Sequence, residues 1–191
     1  MRVSTLCVLS ASAGLATAAS GGTWVMSEAA FMSQGSYETE AFSSPTLSSG
    51  IVATHGQVNP SESAWIAYAH YTNFTFTSAQ PESFGLLWKP TELDGPMVSV
   101  VIRLRDADNQ DISIFGKLFN ADVLAADGGV YFGYIGDASV PIAKAEVWQA
   151  NGRVVVDRID FGERTATVVP VPGAAAMGLL GLAGLATRRR R

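Results

Sequence analysis

Cysteine occurs once in 191 residues, at Cys7, and histidine twice, at His55 and His70. A lone cysteine excludes an internal disulfide and a thiolate-based zinc site. Two histidines with no G-x-S-x-G offer no recognisable nucleophile and base. A carboxylate-pair hydrolase would need two acids brought face to face by neighbouring strands, and no spacing here specifies such a pair. We assign no catalytic residue and read the chain as not an enzyme. Basic residues are also scarce in the body. Only eight Lys and Arg lie between Glu28 and Glu163 or just beyond, against seventeen Asp and Glu, a net of −9. Nucleic acid demands the opposite field, so it is excluded as a partner.

What is present in quantity is apolar sequence, 48% of the chain, and its excess sits at the two ends. The start, MRVSTLCVLSASAGLATAAS, places Arg2 before an uncharged apolar run and ends at Ala16-Thr17-Ala18, an A-x-A site. This is the layout of a secretory signal peptide over residues 1–19, cut after Ala18 or Ala19. Cys7 would leave with it. At the other end, Gly173 to Thr187 is uncharged and is followed by Arg188, Arg189, Arg190 and Arg191. Fifteen helical residues rise about 22 Å, short of the roughly 30 Å hydrocarbon layer. Flanking valines and snorkelling arginine stems cover the difference. The arginines hold their end in the cytoplasm, which leaves the body outside. Pro170 and Pro172 keep Val169-Pro170-Val171-Pro172 extended, just ahead of the helix.

These four features in order resemble the PEP-CTERM sorting signal of exported bacterial proteins. The residues that carry it are Val169, Pro170, Pro172, the apolar segment and the arginine cluster, within 168–191. Val171 stands where the family usually has glutamate. The resemblance implies an exosortase-type membrane protease as partner, a membrane anchor before processing, and release to the cell surface or extracellular polysaccharide. An ordinary uncut C-terminal anchor is the alternative.

The body, residues 23–165, is patterned with period two. Val98, Val100, Ile102 and Leu104 alternate with Ser99, Val101, Arg103 and Arg105; Phe74 and Phe76 alternate with Thr75 and Thr77; Phe84, Leu86 and Trp88 share a face. Such alternation marks half-buried antiparallel strands. We expect eight or nine of them, separated by turns such as DADNQD, ADGG and ANGR. Asn151-Gly152 predicts a hairpin between the last two strands. The last strand is expected to alternate strictly through Val155, Asp157, Ile159 and Phe161, with Asp157 and Asp160 capping turns or meeting solvent. Helical signals are few, at Met26–Met32 and Asn120–Ala126. The fold class is all-β, a jelly-roll-like antiparallel sandwich flanked by the signal peptide and a C-terminal transmembrane helix. The segments SFGLLW and YFGYIG, and the order of strands from Tyr71 to Gly162, also resemble the bodies of PEP-CTERM proteins. That likeness implies a sandwich akin to carbohydrate-binding modules.

Two groups of body residues are candidate sites. Asp106, Asp108, Asn109 and Asp111 lie within six residues and carry the oxygens that calcium takes; a polar hairpin turn uses the same residue types. No other cofactor is suggested. The aromatics Trp24, Trp65, Trp88, Trp148, Tyr68, Tyr71, Tyr131 and Tyr134 supply flat surfaces for sugar stacking or, equally, core volume. Trp148 is the preferred carbohydrate contact, because alternation puts it on one face with Lys144 and Glu146. The function that follows is an exported, non-catalytic surface or matrix protein. The alternative is a carbohydrate-binding module, with or without calcium.

Overall fold

The computed structural model describes residues 22–164, apart from 49, 79, 90, 92–94, 123, 125–127 and 138. The signal peptide with Ala16 and Ala18, the Val169–Pro172 motif, the apolar tail and Arg188–Arg191 lie outside the described residues. Among the described residues, no helix is long and apolar enough to cross a membrane.

The alternation folds as antiparallel sheet. Twelve strands are described: β1 (Thr23–Val25), β2 (Gly35–Glu40), β3 (Ile51–Thr54), β4 (Gly56–Asn59), β5 (Ala64–Ala67), β6 (Tyr71–Phe76), β7 (Ser83–Trp88), β8 (Met97–Arg105), β9 (Asp111–Asn120), β10 (Val130–Ile135), β11 (Lys144–Ala150) and β12 (Val155–Arg164). One sheet runs β1-β10-β7-β12-β5-β4, with β2 also on β12; the other runs β3-β6-β11-β8-β9. Inward residues of the two sheets meet in one core, which includes Phe74, Phe84, Leu86, Trp88, Val100, Ile102, Phe132, Val147 and Ile159. Each fully buried side chain of this kind is worth about 1.5–3 kcal/mol against chain entropy. The protein is therefore an all-β antiparallel sandwich.

The outer faces of the two sheets differ. The seven-stranded sheet carries a short helix, α1 (Glu28–Met32), capped by Ser27, whose hydroxyl oxygen accepts the Ala30 N–H at 3.3 Å. Phe31 of α1 lies on Gly85 and Gly133, which are register partners on β7 and β10. A methyl on Gly133 would overlap the Phe31 ring. The glycines of SFGLLW and YFGYIG thus form the floor of a notch for one phenylalanine. The outer face of the five-stranded sheet has no such cover among the described residues.

Three expectations are corrected. Asn151 and Gly152 both have positive φ, 69° and 76°, and do form a tight turn. The strands they join do not pair: β11 lies between β6 and β8, whereas β12 pairs with β2, β5 and β7. The turn moves the chain from one sheet to the other. Strict alternation also fails in β12, where the register shifts between Val156 and Arg158. The bulge puts Val156 with Ile159 and Phe161 on the core side and leaves Asp157 beside Lys89, at 3.5 Å. Asp160 does not meet solvent. It is 0% exposed and accepts hydrogen bonds from the Thr39 hydroxyl (2.6 Å), the Tyr131 hydroxyl (3.0 Å) and Arg158 Nε (3.1 Å).

Candidate functional site

Period two and register together build the uncovered face. On β6 the outward residues are Tyr71, Asn73 and Thr75, because Thr72, Phe74 and Phe76 point inward and are buried. On β11 they are Lys144, Glu146 and Trp148; on β8, Val101, Arg103 and Arg105. Pairing aligns them in rows across the strands. Tyr71, Trp148, Val101 and Gly116 form one row, and Asn73, Glu146, Arg103 and Ile114 the next. Gly116 bears no side chain, so the first row is open at its β9 end.

Of the four tryptophans, three serve the interior. Trp24 donates to Ser113 Oγ, Trp65 to Thr72 Oγ1 and Trp88 to Gln149 Oε1, each at 2.8 Å. Trp148 is 50% exposed, and among the described residues its indole N–H makes no hydrogen bond. Its ring lies 5.6 Å from that of Tyr71, tilted by 36°. Tyr71 in turn lies 4.3 Å from the His55 ring. Tyr68, 67% exposed, stands on the adjoining β5–β6 loop. Of the aromatics considered from sequence, then, Tyr71 and Trp148 stand on this face and Tyr68 is exposed on the adjoining loop, while Trp65, Trp88, Tyr131 and Tyr134 are buried and Trp24 packs against the core.

Beside the rings runs a charged network. Arg103 donates to both carboxylate oxygens of Asp111, from Nε and Nη2, at 2.6 Å each. This fork raises the Arg103 pKa and lowers that of Asp111. Arg105 donates to Asn109 Oδ1 at 2.7 Å, and its Nε lies 3.5 Å from Asp111 and 3.6 Å from Glu146. Lys144 Nζ meets Glu146 Oε1 at 2.7 Å. The result is an ordered surface of donors and acceptors next to an apolar ring.

The acidic cluster forms the β8–β9 turn. Asn109 has φ 62°, the Gln110 N–H donates to Asp106 Oδ1 at 2.8 Å, and Asn109 and Asp111 are engaged by the two arginines. Among the described residues, no group of three or more His, Cys, Asp and Glu is placed to hold a metal ion. A separate cleft of about 430 Å³ opens at the opposite end of β6, over Phe76 and Phe161.

Sequence reasoning singled out Trp148. It missed the contacts of Tyr71 with Trp148 and with His55, because register across strands 77 and 16 residues apart in sequence leaves no local signal. The opposed charges at Arg103 and Asp111, flanking a turn, were the one visible hint of the network.

No protein-family model matches the chain, and no curated protein matches it. Solved structures share a β-sandwich form at a distance. A variant of the family 29 carbohydrate-binding module CBM29-2 aligns at TM-score 0.45 and 14% identity, over 72% of this chain and 100% of that one. The family 32 module of C. perfringens NanJ, solved with galactose, aligns at 0.40 and 6%, over 65% and 98%. A Bacillus licheniformis β-glucanase aligns at 0.41 and 9%, over 68% and 99%. Neither ligand nor activity carries across likenesses this remote.

Proposed function

We propose that this protein is an exported, non-catalytic β-sandwich that binds polysaccharide on the outer face of its five-stranded sheet. One observation carries the reading: Trp148 presents half of its surface on an open sheet face beside Tyr71, with no partner for its indole N–H among the described residues. Exposing a large aromatic forgoes burial energy of about 1.5–3 kcal/mol. A pyranose ring recovers it, because its C–H face stacks on the indole while its hydroxyls meet the N–H and the flanking charges. Asn73 and Arg103 supply donors, and Glu146 and Asn73 supply acceptors, in the next row, with Lys144 as a further donor one row beyond. The PEP-CTERM-like tail and the signal peptide complete the reading: they deliver the sandwich to the outside of the cell, where such polymers are found.

The test is binding of soluble β-glucan, glucomannan, xylan and alginate to the exported protein by titration calorimetry. We expect saturable binding to at least one of them, weakened at least tenfold, or about 1.4 kcal/mol, by Trp148→Ala. Binding that Trp148→Ala leaves intact, or no binding across the panel, would falsify the proposal.

A further inference from the structure

Six glycines lie in the described strands, and five of them have no room for a side chain. A methyl on Gly35, Gly56 or Gly162 would run into a backbone oxygen of the paired strand, and one on Gly85 or Gly133 into the Tyr131 hydroxyl or the Phe31 ring. Gly116, in the middle of β9, is the sixth. A methyl there would meet Val101 Cγ2 at 3.7 Å and the Val100 carbonyl oxygen at 4.0 Å, both ordinary contacts. Its φ is not positive. The β8–β9 register shifts only at Leu104–Arg105, so Gly116 marks no bulge. The strand nevertheless carries the cost of a residue that packs nothing and loses the most backbone freedom on folding. Neither backbone geometry nor packing asks for glycine here.

Its place on the outer face supplies a reason. β9 is the edge strand of the five-stranded sheet, and its outward side chains form a rim. Ile114, half-buried, stands two residues to one side of Gly116, and Leu118, exposed, two residues to the other. The gap between them lies at the end of the row Tyr71, Trp148, Val101. Four strands at the usual spacing make that row about 14 Å long, enough for about three pyranose rings end to end. Val101, 38% exposed, is a low apolar floor between the indole and the gap. A sugar chain seated on Trp148 and running across the strands passes over Val101 and leaves the sheet at Gly116 without meeting a side chain.

An interior strand glycine that marks neither a bulge nor a bend commonly marks the close approach of a ligand or of another backbone. A second backbone would reach β9 edge-on, in the plane of the sheet, where a side chain standing perpendicular to that plane is no obstacle. A ligand lying on the face would collide with it. We infer that Gly116 is the open end of a path across β6, β11, β8 and β9, and that the ligand is an extended polysaccharide of more than three units that continues past the edge of the sheet. This rests on the polysaccharide-binding reading and adds to it a direction, a length and a specificity-determining residue.

The test sets stability against affinity. Without glycan, Gly116→Thr gives β9 a residue of high strand propensity and should raise the urea midpoint, with Gly116→Ala between it and the wild type. For affinity, the tightest-binding polymer among β-glucan, glucomannan, xylan and alginate is titrated together with its own fragments of two and six units. Wild-type affinity should climb about tenfold from the shorter fragment to the longer. Gly116→Thr should weaken the polymer and the longer fragment by about fivefold or more, and leave the shorter one, seated on Tyr71 and Trp148, unchanged. Val52→Thr, at an exposed position of β3 two rows away, should leave every affinity as it is. A protein that is more stable and binds the long ligand less well is an outcome that a structural role for the glycine does not give. A lower midpoint in Gly116→Thr would show that the fold needs the glycine and would overturn the inference. So would an equal loss of affinity in Val52→Thr. If Trp148→Ala weakens the polymer and Gly116→Thr does not, the site stands and the path across Gly116 is wrong. If no polymer binds, or Trp148→Ala binds as the wild type does, the functional reading fails and the path falls with it.

Discussion

At the scale of single residues, the clearest case of position deciding role is the group around Asp160. A carboxylate with no exposure is stable only when its oxygens are occupied, and three donors occupy them. Arg158 extends the group to Glu28 of α1, at 2.7 Å. Tyr131 bears the consequence. Burial first, and the Asp160 charge second, push its phenol far above the ordinary value. The folded phenol then keeps its proton where the unfolded one loses it. This contribution to stability is complete below the ordinary phenol value of about 10 and is lost as pH rises beyond it. We expect urea midpoints to fall between about pH 9 and 11, and Tyr131→Phe to reduce the slope over that window. An unchanged slope in the variant would mean that another group titrates there.

At the scale of elements, α1 shows a local preference completed by its partners. Five residues are too few to hold a helix in water. Ser27 caps it and Glu28 suits its first turn, but the anchors are Phe31 on the glycine floor and the Glu28–Arg158 pair. Gly133→Ala should therefore unseat the helix and cost about 1–3 kcal/mol by overpacking. In a Phe31→Ala background the same substitution should cost much less, since the clash has been removed. A double-mutant cycle in urea reads the difference, and additive costs would place the strain elsewhere. Among elements, the β8–β9 hairpin was legible from its alternation and its Asp- and Asn-rich turn. The Asn151-Gly152 turn was legible as a turn only. Its dipeptide specifies backbone angles, not which sheet the next strand joins.

At the scale of the whole molecule, the proposal divides the chain into a delivered sandwich and two segments that deliver it. If the tail is processed as the PEP-CTERM resemblance implies, intact-mass measurement of the protein from its native host should give a species lacking residues 1–18 and Arg188–Arg191. A mass that retains Arg191 would favour the uncut anchor instead.

The sequence by itself determined the all-β class and the inward positions of β6, β7 and β8, because alternation of apolar and polar residues is a local property that the pleat converts directly into two faces. It also put Trp148 on a face with Lys144 and Glu146, for the same reason. Only the tertiary structure decided that Tyr71 meets both His55 and Trp148, that Gly85 and Gly133 accommodate Phe31, and that Asp160 is buried. Each of these depends on register between strands far apart in the chain. Cross-strand pairing is selected by the packing of the finished core, and no short stretch of residues encodes it.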